Sequence, residues 1–397
     1  MLVYADHAST SLPTLFPASC TESWANPSNN HPPGLAARAA LEEARDTVAR
    51  LLNAPPPPPE AAAPGNEPAP PQILFTANGT EGDNLVLQGH PWDYIVTTAT
   101  EHTAVYFTAQ FLAARRGVEV VYLAVDGTGG IRTADVDRAL ALHHRPGRVG
   151  LVSLMYVNNE TGTMHDLPAI AAMVRRRGPG IWFHSDAVQA PGHVPHLDVR
   201  VLGVDFLTVS AHKFHGPGGV GFLYQRDPRL LRPCQFGGHQ QGGLRPGTEP
   251  VGLVRGMVAA LADALAPATI GDRLAGLRRM TDALWDALAR FIVAGIVLPT
   301  GAVRGGPLRA PHHVSFCVRG HHRRTLLKRL EDLGVAASGG SACSTGSALP
   351  SHVLAAMDVP TEYIQGSLRF TFSHTNTPEE VQERVIPAVV KLLTECS

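Results

Sequence analysis

The 397 residues carry a formal charge of −1, with 44% apolar and 17% charged side chains. That balance suits a soluble globular chain with a large core and room for more than one lobe. It gives no overall electrostatic pull toward nucleic acid or an anionic membrane, so neither is an expected partner.

Val3-Tyr-Ala-Asp6 reads as a short strand. It has neither the basic nor the apolar region of a secretory leader, and no later stretch is long and apolar enough to span a bilayer. Five scattered cysteines (Cys20, Cys234, Cys317, Cys343 and Cys396) lack metal-ligand spacing and argue for free thiols in a reducing, cytoplasmic setting. Gly34 to Leu52 places Leu41, Ala44, Val48 and Leu51/Leu52 on one helical face. The Pro- and Ala-rich stretch 54–71 fits neither a helix nor a strand interior and reads as an exposed loop.

Seven apolar runs follow: Ile73–Thr76, Tyr94–Thr98, Val118–Leu123, Val149–Val157, Ile181–Ser185, Phe206–Ser210 and Val220–Tyr224. Runs apolar throughout suit a sheet covered on both faces. Helical patterns such as Thr103–Arg115 and Leu167–Arg177 make the connections long enough for parallel pairing. The fold class predicted is α/β, with a seven-stranded, mostly parallel sheet. Beyond it, helical patterns (Val251–Ala266, Asp272–Ala294) lead into a mixed region closed by a helix with Thr377 as N-cap, Pro378 at its first position and Glu380 completing a capping box. The domains expected are a large one over 11–255 and a smaller α+β one built from 1–10 and 256–397. The basic clusters Arg175–Arg177 and His321–Arg324 read as solvated faces.

In an open α/β sheet a ligand sits beyond the carboxyl ends of the strands. Polar groups stand at one strand end after another here. Ala77-Asn-Gly-Thr-Glu-Gly-Asp-Asn84 is a small-residue turn opening a helix, a ready phosphate cradle at Gly79 and Thr80. Glu101-His102, Asn158-Asn-Glu-Thr-Gly162, Asp186-Ala-Val-Gln189 and Ala211-His-Lys213 end the other strands. Only three lysines occur among 33 basic residues. Arginine cannot replace lysine where an amine must lose its proton and attack a carbonyl, so Lys213 is a candidate Schiff-base lysine. A phosphate cradle, such a lysine, a flat His102 and a carboxylate are the parts for pyridoxal 5'-phosphate. Asp186 would pair with its ring nitrogen and Gln189 with the ring oxygen. His102 would stack on the ring, and Ser210 and His212 would join Thr80 on the phosphate.

At these residues the chain resembles the cysteine desulfurase family, class V of the fold-type I pyridoxal-phosphate transferases. The resemblance runs from Tyr4-Ala-Asp-His-Ala8 and Asn26-Pro-Ser28 to Ser367-Leu-Arg-Phe370. Its most specific segments are Val157–Gly162, His184–Gln189, Ser210–Lys213, Arg245-Pro-Gly-Thr248 and Gly340-Ser-Ala-Cys343. It implies a homodimer, with Thr248 reaching the neighbouring subunit's phosphate, Asn158 near the ring and Arg369 clamping the carboxylate of L-cysteine, with Asn26 at the substrate. It implies Cys343 as the thiol that receives sulfur as a persulfide, with Lys213 as base and His102 as acid or base. The flanks Ser338–Ser341 and Ser344–Ser347 suit an exposed loop. The persulfide would pass to an acceptor protein serving iron–sulfur cluster assembly or tRNA thiolation. Cys317 has strand-like apolar neighbours and reads as core.

The pattern departs at Thr103, where the family commonly has proline, at Asn78-Gly79 and at His7. The chain ends soon after Leu393-Thr394, where many relatives carry a tail for docking a scaffold. A selenocysteine lyase or a cysteine/cystine C–S lyase on the same fold is the alternative within enzymes. A scaffold without catalysis is the alternative outside them. Cys343 separates the first from a desulfurase, and the retained Lys213, Asp186 and His102 argue against the second.

Overall fold

The computed structural model describes residues 2–14, 25–57, 70–340 and 350–396. Cys20, Cys343 and most of the Pro-rich stretch lie outside the described residues. The strands are β1 (Val3–Tyr4), β2 (Ile73–Thr76), β3 (Tyr94–Thr98), β4 (Glu119–Leu123), β5 (Gly150–Ser153), β6 (Ile181–Asp186), β7 (Phe206–Ser210), β8 (Gly221–Gln225), β9 (Val297–Pro299), β10 (His313–Val318), β11 (Val335–Ala336) and β12 (Ser367–Thr371).

β2 to β8 form one sheet in the order β2-β8-β7-β6-β5-β3-β4. β8 pairs antiparallel with both neighbours and the other pairs are parallel. Its strands are apolar on both sides because helices cover both faces. Leu74, Ile95, Leu151, Phe206 and Leu223 pack under helices Gly79–Gln88 and Thr103–Arg116. Phe75, Val96, Val152, Phe183 and Leu207 face the other way, in one core with residues of helices Pro32–Leu51, Leu167–Arg176 and Val251–Ala264.

A second core gathers β10 and β12 with helices Ile270–Val293, Arg323–Asp332 and Ile386–Glu395. Val3 and Ala5 pack in it, because β1 pairs parallel with β11. The capping box at Thr377 and Glu380 forms as predicted.

Two differences from the predicted elements have clear causes. The run Val149–Val157 is a strand only as far as Ser153. Beyond it Leu154 and Tyr156 N–H still reach the carbonyls of His184 and Asp186, but the chain turns into a loop organised by Asn158. Helix Thr133–His143 is not anticipated by the sequence analysis; Val136, Ala139 and Leu140, at helical spacing, are its buried side.

Candidate active site

The turn after β2 opens helix Gly79–Gln88. Asn78 caps it, its side-chain oxygen accepting from Glu81 N–H at 3.0 Å. Glu81 is held in turn by Arg245, so the turn is tied to the segment that carries Thr248. Thr80 is exposed at the first helical turn, where N–H groups lack helical partners. Gly79 is buried, and a Cβ there would lie 2.6 Å from Val188 Cγ2, so only glycine lets the loop after β6 approach.

That loop begins at Asp186, the last residue of β6. Asp186 is buried, and one carboxylate oxygen accepts from Val188 N–H at 2.9 Å. Burial pushes its pKa up, opposed by the nearby His102 and Lys213. Gln189 follows; its amide nitrogen donates to the Ala8 carbonyl at 2.8 Å, while its Oε1 is buried without a partner. His102 caps helix Thr103–Arg116, accepting from Ala104 N–H through Nδ1 at 3.2 Å. His102 and Asp186 each place a polar atom within 4.8 Å of the other. Burial lowers the His102 pKa.

Lys213 closes the short turn after β7. Its Nζ donates to the carbonyls of Ala8 and Ser9 at 2.7 and 2.6 Å. Ser210 Oγ is buried without a partner, and His212 Nδ1 meets Thr10 Oγ1 at 3.2 Å. Burial, then Lys213, brings the His212 pKa down to about 4.

Arg369 in β12 is 1% exposed. Its Nη1 donates to the carbonyls of Asn159 and Gly340, both at 2.7 Å, and Nη2 to Asp6 Oδ1 at 2.6 Å. Nε is buried and unpartnered. Asn158 is also buried, and its amide shapes its own loop. Nδ2 donates to Thr100 O and approaches Met155 Sδ, while Oδ1 accepts from Glu160 and Thr161 N–H at 2.9 Å.

Asn26 is half-buried, and its side chain accepts from Ser28 N–H within its own turn. Thr248 is exposed, beside a surface cleft of about 770 Å³ that it lines with Cys234, Phe236 and Pro246. Cys343 lies outside the described residues. The residues on either side are held: Gly340 O by Arg369, and Ser351 Oγ by Glu160 Oε2 at 2.6 Å. Cys317 is buried, and burial pushes its thiol up to about 12, which suits core rather than chemistry.

Lys213, Asp186, His102, Gln189, Ser210 and His212 therefore gather on the ends of β3, β6 and β7 and the turns after them. Four further residues contribute that the sequence analysis does not include in the site: Asp6 pairs with Arg369, the carbonyls of Ala8 and Ser9 hold Lys213, and Asp83 lies beside Asp186 and His102. The signal for Asp83 was available. It shares a helical face with Gly79, Gly82, Val86 and Leu87, all buried.

The buried orphans test the fit of a planar, phosphorylated pyridine. Ser210 Oγ and Gln189 Oε1 are desolvated groups in want of partners. They flank a buried carboxylate at the end of β6 and a lysine at the end of β7. That donor and acceptor set fits the group.

Residues 8–383 match the class-V aminotransferases. The chain is 35% identical over 379 residues to a cysteine desulfurase IscS of Dictyoglomus turgidum, covering 92% of this chain and 88% of that protein. Among solved structures it is similar to a NifS-like protein at a TM-score of 0.83 and 27% identity, with 100% of both chains covered. It is also similar to SspA in complex with cysteine, at a TM-score of 0.71 and 26% identity, over 93% of this chain and 98% of that one. The chain belongs to the class-V aminotransferase family, a pyridoxal-phosphate-dependent family, and within it to the cysteine desulfurases.

Proposed function

We propose that this cysteine desulfurase takes sulfur from L-cysteine onto Cys343, with pyridoxal 5'-phosphate held by Lys213, Asp186, Gln189, His102, Gly79, Thr80, Ser210 and His212, and by Thr248 of a second copy. The observation that carries this reading is the meeting of Lys213, Asp186 and His102, with the orphaned buried Ser210 hydroxyl and Gln189 Oε1 on the same strand ends. Bound there, the cofactor supplies an electron sink that makes the substrate Cα proton acidic and weakens the Cβ–S bond.

The chain's own groups do the rest. Asp186, ionised, holds a proton on the ring nitrogen. Lys213 Nζ anchors the cofactor and takes the Cα proton of L-cysteine. Arg369 offers a fork to the substrate carboxylate, and the unpartnered Nε supports this role. Asn158 shapes the loop that carries Asn159, and Asn26 is assigned to the substrate. The Cys343 thiolate attacks the substrate sulfur: the S–S bond forms, the Cβ–S bond breaks, and its electron pair with a proton completes alanine. His102, neutral at physiological pH because burial lowers its pKa, accepts or returns the thiol proton.

A homodimer is part of this reading. Thr248 stands on an exposed segment with Phe236, 88% exposed, and a second copy would cover it. The division into 11–255 and 1–10 with 256–397 is part of it too; two separate cores support two domains, although Met257, Ala260, Leu261 and Ala264 of the helix crossing the boundary pack in the first core. The cysteines Cys234, Cys317 and Cys396 are free, which supports a reducing, cytoplasmic setting. Among the described residues no helix is long and apolar enough to cross a membrane. The sulfur goes on to an acceptor protein.

The test is alanine and sulfide release from L-cysteine with a reductant, for wild type and Cys343→Ala. A yellow variant that binds cofactor but has lost turnover supports persulfide transfer. A variant as active as wild type sinks it and leaves a direct C–S lyase.

A further inference from the structure

Asp83 is a buried acid that none of the steps above uses. It is 1% exposed, and neither carboxyl oxygen has a hydrogen-bond partner. It comes from the buried side of helix Gly79–Gln88, next to Gly82, whose missing side chain makes room for Thr208 of β7. The Thr208 hydroxyl bears on Asp83 without reaching hydrogen-bond geometry.

The groups facing it are few. His184 of β6 has Nε2 3.6 Å from Asp83 Oδ1. His184 is already met by Ser153 Oγ at 2.9 Å and Thr208 Oγ1 at 3.0 Å. Burial brings its pKa down to about 3, so it offers Asp83 no positive charge. Asp186 and His102 each place an atom within 4.8 Å of an Asp83 oxygen. Glu101 is a further buried acid nearby, with Oε1 taken by Thr98 and by Met155 N–H. Lys213 acts on Asp186.

Asp83 and Asp186 are thus unequal. Asp186 accepts a backbone N–H and has His102 and Lys213 to favour its charge. Asp83 has no donor and no cation paired with it. A buried carboxylate in that state is costly, whereas a neutral acid is tolerated. Two close acids of such unequal surroundings divide into one that ionises and one that holds a proton. Burial and the neighbouring Asp186 both push the Asp83 pKa up, in the same sense.

We propose that Asp83 is a positioning residue: a neutral carboxylic acid whose O–H is turned to Asp186, leaving Asp186 as the ionised carboxylate of the pair that meets the cofactor's ring nitrogen. The inference rests on the cofactor reading above and adds the charge balance behind it.

Infrared spectroscopy of the full-length protein, with and without pyridoxal phosphate, tests it at neutral pH. The wild-type minus Asp83→Asn difference shows the carbonyl stretch of a protonated carboxylic acid. Carbon-13-labelled aspartate shifts that band in wild type, and Glu101→Gln leaves it in place. Asp83→Asn, neutral and able to donate, keeps cofactor Kd within about threefold of wild type, with an unchanged pH midpoint of bound-cofactor absorbance. Asp83→Leu, folded by circular dichroism, loses the donor, weakens cofactor binding about tenfold and shifts that midpoint. Asp186→Asn weakens binding at least as much.

No aspartate band in labelled wild type overturns the proposal. So does an Asp83→Asn variant as impaired as Asp186→Asn, or an Asp83→Leu variant matching wild type. If Asp83→Leu does not fold, the labelled band and Asp83→Asn still decide. Cofactor binding unaffected by Asp186→Asn would instead sink the cofactor reading and leave the infrared result standing.

Discussion

Arg369 shows how much one side chain is asked to do. It holds Asp6, Asn159 and Gly340 at once and keeps one buried N–H free. Lysine retains the charge but not the planar fork. Arg369→Lys should therefore raise the KM for L-cysteine about tenfold or more, the worth of one lost charge-assisted hydrogen bond, with a smaller change in kcat. Steady-state kinetics of alanine formation decide. An unchanged KM would mean that Arg369 only pins Asp6 and the Gly340 carbonyl. Much at this scale was legible in the sequence: Lys213, Asp186 and His102 stood out because each follows an apolar run. Glu101 did not, because an acid in a polar turn reads as solvated until its distant neighbours close over it.

At the scale of elements, the close fit of helix Gly79–Gln88 against the loop after β6 is the sensitive point. A methyl at Gly79 meets Val188 Cγ2 at 2.6 Å. Valine has few rotamers with which to yield, so the helix start must move. Gly79→Ala should cost about 1–3 kcal/mol in denaturant unfolding and weaken cofactor binding as well. A variant with wild-type stability and cofactor affinity would show that the loop adapts freely. The strands themselves were readable from apolar runs bounded by turns. What the runs could not show was that β8 lies between β2 and β7 and turns one pairing antiparallel on each side, since strand order depends on contacts far apart in sequence.

For the whole molecule, buried histidines set the response to acid. His193 and His312 stack at 3.6 Å, and His312 has both ring nitrogens buried without partners. Burial, then neighbouring histidines, brings His7 down to about 3; burial brings His193 down to about 4. Unfolded, each titrates near 6.5, so below that pH the unfolded chain takes protons the folded one refuses. Their contribution is intact above about 6.5 and is lost as the pH falls toward 4. His193 donates through Nδ1 to Gln189 O, a bond glutamine can replace. His193→Gln should gain on wild type by up to about 1.4 kcal/mol per pH unit between 6.5 and 4.5. Urea unfolding at several pH values measures this, and parallel curves for the two proteins would refute it.

The opening segment carries one more consequence. Through Asp6, Ala8 and Ser9 it touches Arg369 and Lys213, which follow it by 363 and 205 residues. During synthesis the contact with Arg369 waits until nearly the whole chain has left the ribosome. A nascent chain released early, even with the entire large sheet made, would own the lysine and the carbonyls that hold it but lack the arginine that completes the pocket. Competence to handle reactive sulfur is thus tied to finished translation, and half-made copies are spared the chemistry.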